Sequence, residues 1–564
     1  MVCNSYTVGQ YLVDRLRECG VRPLFSVPGP HCAGWLHDYV EATPGIKRFG
    51  VASPQAAGYA ADGYARTAGL GAACVPRGVG TGPLLAPLAG AYAERVPVVV
   101  VSGAPPASAA PAPTASARAV LDGPDGPPRS VEDVTCDAAR LTVAATAPTR
   151  IDRLLRAARR HRRPVYLELG ADVMDCPCRP VDDPLSDDEV PLCPETAEAV
   201  AAPLRRADSV VLWGGVELRR YGLAPAFDAL VRALDAPYVT SLAGKGLLAE
   251  DHPHFAGRIA PDGTPPPTRR QVRASDLVLG LGVGPTCEPL PSWVRDGGSA
   301  VLAHRAGVRR AGGPTASPPP DGLVPLGALL DRLRAVADDR PDAAGGTPSS
   351  RPDPAAGAPA GAEDDAPLTY QNTCALLSEY VGPDTLLLSG TGLARAGSGA
   401  VPVAASGFVC QAAYGDAAHA LPAALGADLG TDAERVLVLV GDGGLQMTAS
   451  CLGTMAERGL DPLIVVLDNG VYGAEQHRMD PAPFTDDGPF APQTRLPQWH
   501  YRKLPDAMGG RGWRVATLGA LRTAVDEAFK YTGGPLLIDA RVEQTSLPAR
   551  AARAVDGAET EASS

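Results

Sequence analysis

Short apolar runs alternate along this chain with longer amphipathic segments. Residues 96–101, 165–169, 209–213, 436–440 and 463–467 are dominated by Val, Leu and Ile, the pattern of strands buried on both faces, and 24–27 and 237–241 read as further strands. Between them, Val8, Tyr11, Leu12 and Leu16 share one face of a predicted helix over 7–20. Residues 224–234 and 445–457 predict two more helices, and 56–67 (AAGYAADGYART) a helix of small residues able to pack closely on a neighbour. Strands alternating with helices predict α/β domains, each a mainly parallel sheet flanked by helices.

Changes of composition suggest the boundaries. Residues 1–185 and 190–337 read as two α/β blocks, and 367–545 as a third. Residues 338–366, rich in Pro, Ala, Gly and acidic side chains, have little to bury and are expected to form a disordered linker; 546–564 are expected to fray. An Ala/Pro-rich segment, 105–128, is expected to be a mobile loop within the first block.

The stretch 436–476, VLVLVGDGGLQMTASCLGTMAERGLDPLIVVLDNGVYGAEQ, organises the rest. A buried strand ends at Gly441-Asp442-Gly443-Gly444, a helix follows, and a second buried strand runs into Asp468-Asn469-Gly470. This β-α-β unit places Asp442 and Asn469, separated by 26 residues, at the carboxyl ends of adjacent parallel strands, the edge where open α/β sheets bind ligands. A carboxylate, an amide oxygen and backbone carbonyls are hard ligands suited to Mg²⁺, which completes its octahedron with phosphates and water. The glycines let the backbone approach a phosphate, and the helix start adds N–H groups.

GDGGLQMT and LDNGVYGAEQ resemble the thiamine diphosphate (ThDP) enzymes, within them the pyruvate, indolepyruvate and phenylpyruvate decarboxylases. YTVGQYLVDRL, SVPG, GYAADGYAR and AYAERVPVVVVSGAP resemble that family's pyrimidine-binding domain, and VLWGGVELRRYGL and ASDLVLGLGVG its middle domain. The resemblance implies that Asp442, Asn469 and the Val471 carbonyl hold Mg²⁺ against the diphosphate. It further implies that Gly441, Gly443, Gly444, Thr391, Gly392 and Gly415 contact the cofactor and that Glu475 is catalytic. It implies a 2-oxo acid substrate and a homodimer or homotetramer whose active site lies between the first domain of one subunit and the third of another.

Several of the family's working residues are absent. The glutamate that hydrogen-bonds the cofactor's pyrimidine ring aligns with Pro54, which has no side-chain acceptor, and Gln55 beside it exchanges no proton near neutral pH. The aspartate after VPG is Pro30, next to His31, and the adjacent histidine pair falls at Ala117-Arg118. Ala417 replaces the apolar residue that props the cofactor, Gly390 replaces a glutamate, and Asp416 and Gly444 replace serines, with a carboxylate at 416 expected to repel the diphosphate unless the metal or a cation intervenes. Arg118 or His31 is a candidate for a substrate carboxylate, with a solvated loop as the alternative for each.

Three readings follow. The chain is a ThDP- and Mg²⁺-dependent lyase (a decarboxylase or carboligase) with non-standard cofactor activation, as in the glyoxylate carboligases, which lack the same glutamate. Alternatively it is a degenerate homologue serving as scaffold or partner subunit, or it performs metal-assisted chemistry without ThDP. Glu475 has a structural alternative, a carboxylate favoured at a helix start, and His477 reads as a surface residue.

Composition narrows the partners. A formal net charge of −12 leaves no basic surplus for nucleic acid, and the cluster Arg153, Arg156, Arg159, Arg160, Arg162 and Arg163 reads as a solvated helix face and end. With no membrane-length apolar run and no signal-peptide pattern, a cytoplasmic protein is expected. Twelve scattered cysteines suit reduced thiols, and Cys176-Pro177-Cys178 is too tightly spaced for a zinc knuckle. Gly280, Gly282 and Gly284 read as strand-end glycines, since no GxGxxG with an acidic partner accompanies them.

Overall fold

The computed structural model describes residues 6–106, 127–186, 190–260, 263–284, 287–295, 300–311, 323–340, 363–485 and 488–548. Three six-stranded sheets follow one another along the chain. The first contains β1 (Pro23–Ser26), β2 (Lys47–Gly50), β3 (Gly71–Pro76), β4 (Val98–Ala104), β5 (Asp137–Leu141) and β6 (Val165–Gly170), in the order β2-β1-β3-β4-β6-β5. The middle sheet contains β7 (Val210–Gly214), β8 (Tyr238–Thr240), β9 (Phe255–Arg258), β10 (Leu277–Leu281), β11 (Ala300–His304) and β12 (Gly307–Arg310), ordered β12-β11-β10-β7-β8-β9. The third contains β13 (Thr385–Ser389), β14 (Phe408–Cys410), β15 (Arg435–Gly441), β16 (Leu463–Asp468), β17 (Arg511–Val515) and β18 (Leu536–Arg541), ordered β14-β13-β15-β16-β18-β17.

All pairs are parallel except β11 with β12, so the predicted α/β class with parallel sheets holds. Renumbered from its own first strand, the third sheet repeats the order of the first. Most of the expected linker 338–366 and of the expected loop 105–128 lies outside the described residues, as does the tail beyond Leu547-Pro548. The start of that tail is docked: Ser546 Oγ accepts the Tyr370 N–H at 3.0 Å.

The small-residue helix joins the first and third domains. Ser53 caps it by accepting the Ala56 N–H at 3.1 Å, Pro54 occupies its first turn, and it runs Pro54–Ala68 before Gly69 (φ +99°) ends it. Every residue from Ala56 to Arg66 is buried, because the helix lies against Ala420–Gly430 of the third domain at backbone contact distance. A Cβ on Gly63 would lie 2.8 Å from Ala423 Cα, and one on Gly426 would lie 2.7 Å from Tyr64 N. One hydrophobic core therefore passes through both domains, from Phe25 and Val100 to Val438 and Ile464.

A buried polar chain locks the same junction. Asp62 accepts from Arg66 Nε at 2.6 Å and pairs with His419 Nε2 at 2.8 Å, while Arg66 Nη1 reaches Glu94 at 3.0 Å. Burial alone would raise the Asp62 carboxyl, but Arg66 and His419 hold it well below the usual carboxylate range. Glu94 Oε1 in turn accepts the N–H groups of Ala413 (2.8 Å) and Tyr414 (3.1 Å), fixing the turn that leads to Gly415.

In the middle sheet the strand order reverses between β10 and β7, where open sheets hold dinucleotides. Here that crevice is closed. A Cβ on Gly215 would collide with the Gly282 carbonyl, and the buried Glu288 carboxylate takes the N–H groups of Val216 (3.1 Å) and Gly284 (2.9 Å) and the Ser241 hydroxyl. Burial pushes this carboxyl up to about 7 despite those donors.

Candidate active site

β15 and β16 run parallel with Gly441 opposite Leu467, so Asp442 and Asn469 emerge side by side from adjacent strand ends. The helix expected from residue 445 begins earlier, at Asp442, and is two pieces, Asp442–Thr448 and Cys451–Glu457. The early start has a cause: Asp442 Oδ1 accepts the Gly443 N–H at 2.9 Å, satisfying a donor of the first turn. Its Oδ2 accepts the Gly470 N–H at 2.7 Å, so one carboxylate ties both turns together. Asp442 is only 2% exposed, and this burial, with Asp468 nearby, pushes its carboxyl up to about 7 against the pull of both N–H groups.

Asn469 is buried; its Oδ1 accepts the Val471 N–H at 3.2 Å and its Nδ2 has no partner among the described residues. The Val471 carbonyl accepts the Gly473 N–H at 2.8 Å and keeps a second lone pair. Glycine is required beside them, since a Cβ on Gly443 would press on the Tyr472 ring and one on Gly473 would reach Asn469 Nδ2 at 3.0 Å. The family's serine at position 444 has no room either, because a Cβ there would lie 2.9 Å from the Ala417 carbonyl.

These turns form the floor of a cavity of about 640 Å³ between the third and middle domains. Gly441, Asp442, Gly443, Gly444, Asn469 and Val471 line it together with Thr391 and Gly392, Gly415, and Glu475. The middle domain contributes Trp213, Ser241, Ile259 and Glu288. None of the described first-domain residues lines it.

Glu475 is the third residue of the helix Gly473–Met479, exposed at the rim and paired with Arg478 at 2.6 Å. His477, expected at the surface, instead lines the cavity; it is half-buried, its ring packs edge-on against Phe484, and burial lowers its pKa. Arg395 is a cation in the wall that sequence reasoning did not single out. It donates to the Ala412 carbonyl at 3.0 Å and marks no recognisable motif.

Of the substituted positions, Gly444 and Ala417 line the cavity, and the other described ones lie elsewhere. Pro54 and Gln55 open the interdomain helix, while Pro30 and His31 (φ +67°) sit exposed after the Gly29 turn. Ala117-Arg118 fall outside the described residues. Asp416, which from sequence threatened to repel a diphosphate, turns away from the cavity. It accepts the Tyr59 hydroxyl of the first domain and the Ala418 N–H at 2.8 Å.

Three parallel-sheet domains, the outer two of equal strand order, with a glycine-lined cavity at the carboxyl edge of the third, are the architecture of the ThDP enzymes. Residues 6–123 match the description "Thiamine pyrophosphate enzyme, N-terminal TPP binding domain", 197–296 the central domain and 399–540 the C-terminal TPP binding domain. The chain is 31% identical over 555 residues to the "Alpha-keto-acid decarboxylase" of Mycobacterium leprae (strain TN), covering 96% of this chain and 94% of that protein. A protein of the same description from Mycolicibacterium paratuberculosis (strain ATCC BAA-968 / K-10) is 30% identical over 558 residues, covering 96% and 95%. One from Mycobacterium tuberculosis (strain ATCC 25618 / H37Rv) is 31% identical over 555 residues, covering 96% and 95%. The chain belongs to the ThDP-dependent 2-oxo acid decarboxylase family.

Proposed function

We propose that this protein is a ThDP- and Mg²⁺-dependent lyase that decarboxylates a 2-oxo acid. The observation that carries the reading is the pairing of Asp442 with Asn469 at adjacent strand ends on the floor of the cavity. The donor set fits a hard divalent cation: a buried carboxylate, an amide oxygen and the Val471 carbonyl, with Asp468 adding negative charge behind them. Such a cation offsets the cost of burying the Asp442 carboxylate.

When bound, ThDP supplies the carbon nucleophile and the electron sink that decarboxylation requires. This chain's part is to hold and orient it. Gly392 (φ +64°) and Gly441–Gly444 let backbone N–H groups approach a diphosphate, and Thr391 stands beside them. Trp213 and Ile259 exclude water from the far wall. Glu475 is the residue that exchanges a proton at the reacting carbon, and His477 is within the same rim. With Pro54 in place of the family's glutamate, that position has no side-chain acceptor to offer the cofactor, and Gln55 beside it could supply a hydrogen bond but no proton exchange. A second copy of the chain would supply the first-domain wall, as the family's subunit arrangement implies.

The test is release of CO₂ from a panel of 2-oxo acids by the full chain with ThDP and Mg²⁺. Glu475→Gln is expected to remove turnover, by a hundredfold or more in order of magnitude, while cofactor affinity stays close to that of the parent. Unchanged turnover in that variant would take Glu475 out of the mechanism. A second reading, a partner subunit without activity of its own, draws on the same Pro54 helix start; it predicts no CO₂ from any acid although the cofactor binds.

A further inference from the structure

Among the described residues two arginines line the cavity, Arg395 and Arg478, and only one has its charge met. Arg478 pairs with Glu475 at 2.6 Å, whereas Arg395 pairs with no carboxylate among the described residues. Arg395 is half-buried on the helix Gly392–Ser398 and is anchored through Nη1 alone. That nitrogen donates to the Ala412 carbonyl at 3.0 Å and to the Gln411 carbonyl at 3.3 Å. Its Nε and Nη2 donate no hydrogen bond among the described residues. These two groups form one edge of the planar guanidinium, and that edge takes a carboxylate in a forked pair.

The surroundings set this edge in the reacting part of the cavity. Gly415 shares the wall, and a Cβ on it would lie 3.6 Å from Arg395 Nη1. The helix carrying Arg395 packs on the helix carrying Glu475, since a Cβ on Gly392 would lie 3.4 Å from the Ala474 Cβ. Ala396 and Ala412 bring only methyl groups to the wall beside it. The acids of the wall are committed elsewhere: Asp442 to two backbone N–H groups, Glu288 to the Val216 and Gly284 N–H groups, and Glu475 to Arg478. A guanidinium held in a partly desolvated wall without a counter-charge is costly, and an anion entering the cavity removes that cost.

We propose that Arg395 binds a second anionic group of the substrate, a carboxylate distal to the keto group, so that the cavity selects 2-oxo dicarboxylic acids. The inference rests on the reading of this cavity as a decarboxylase site. The carboxylate lost as CO₂ suits Arg395 poorly. A guanidinium fixed on it would be strongest before the bond breaks and would weaken as charge leaves that group, which slows the step. The diphosphate suits it poorly as well, because the Gly441–Gly444 turn and the metal ligands lie at the ends of β15 and β16. Arg395 is instead tied to the turn after β14, which β13 separates from β15.

The experiment is calorimetric titration of unreactive acids, pentanedioate and hexanedioate against pentanoate and hexanoate, into the full chain loaded with ThDP and Mg²⁺. CO₂ release from the 2-oxo derivatives of all four acids is measured in parallel. The parent is expected to prefer a diacid over the monoacid of equal length. Arg395→Gln should lower that preference by about tenfold to a hundredfold, the effect of losing a charge-assisted pair, in KM more than in kcat and with ThDP affinity retained. Arg395→Lys, which keeps the charge without the fork, should recover part of it, and melting curves establish that both variants are folded. An Arg395-dependent preference in the titration, with no CO₂ from any oxo acid, would refute the lyase reading and leave the anion site standing. Equal binding of diacids and monoacids by the parent overturns the proposal. So does an Arg395→Gln variant that weakens both classes alike, which would assign Arg395 to the carboxylate that leaves, or one that loses ThDP, which would assign it to the diphosphate.

Discussion

Replacing Gly63 by Ala isolates the contact that docks the first domain on the third. At an exposed helical position this change stabilises by about 1 kcal/mol through helix propensity. Here the new Cβ would lie 2.8 Å from Ala423 Cα and 2.7 Å from its carbonyl carbon. The nearest atom is the Ala423 carbonyl oxygen at 2.0 Å, and C···O contacts lie at about 3.3 Å or more, so the helices Pro54–Ala68 and Ala420–Gly430 must part by roughly 1.3 Å. Overpacking of this kind costs about 1–3 kcal/mol, and opening the shared core removes packing on both sides. Net destabilisation of about 1–2 kcal/mol is expected, a fall in Tm of about 1–3 °C for two domains of this size. Differential scanning calorimetry reads it, with Gly453→Ala as control. There the nearest atom outside the helix is Met508 Sδ at 3.7 Å, an ordinary contact, so the control should be neutral or stabilised. Gly426→Ala should behave as Gly63→Ala does, its Cβ falling 2.7 Å from the Ala60 carbonyl carbon. If Gly63→Ala melts with or above the parent, the close helix crossing is not what joins the domains.

Glu288→Gln tests the closed crevice of the middle domain by its pH dependence. Burial raises the folded carboxyl to about 7, above the unfolded value near 4.3, so the folded state holds the extra proton between those values and loses stability as pH rises through them. The parent's Tm should therefore fall relative to the variant's between about pH 4.5 and 7.5; parallel profiles would show that Glu288 does not titrate in this window. Pro54→Glu restores a carboxylate at the start of a helix whose dipole favours one, at little cost because Ser53 keeps the cap. CO₂ release per site is expected to rise, and a fall or no change would mean that activation here does not run through position 54. Asp416→Ala removes the acceptor of the Tyr59 hydroxyl and of the Ala418 N–H, and should lower stability by about 1 kcal/mol or more, read as a fall in Tm.

The alternation of buried strands with helices made the α/β class readable, because continuous Val/Leu runs bounded by glycine have few other uses. The GDG turn and the distant Asn469 were readable for a similar reason, as both needed only one β-α-β unit to be placed together. What escaped were contacts between elements remote in sequence. Arg395 and Glu288 reach the cavity through tertiary packing and have no local signature. Asp416 was misjudged because its partner, Tyr59, lies in the other domain. The arginines at 160–163 read as a solvated helix end because the middle-domain aromatic Tyr221 that covers them is invisible in local charge pattern. Pro54 reads as a lost function in the alignment and as a favourable helix start in the structure, and both descriptions hold.

Calorimetric titration of ThDP into the full chain, with and without Mg²⁺ and against Asp442→Ala, tests the central claim most directly. The account predicts metal-dependent binding that the alanine variant loses. Well-folded protein that takes up no ThDP, or an Asp442→Ala variant that binds it as tightly as the parent, would contradict it.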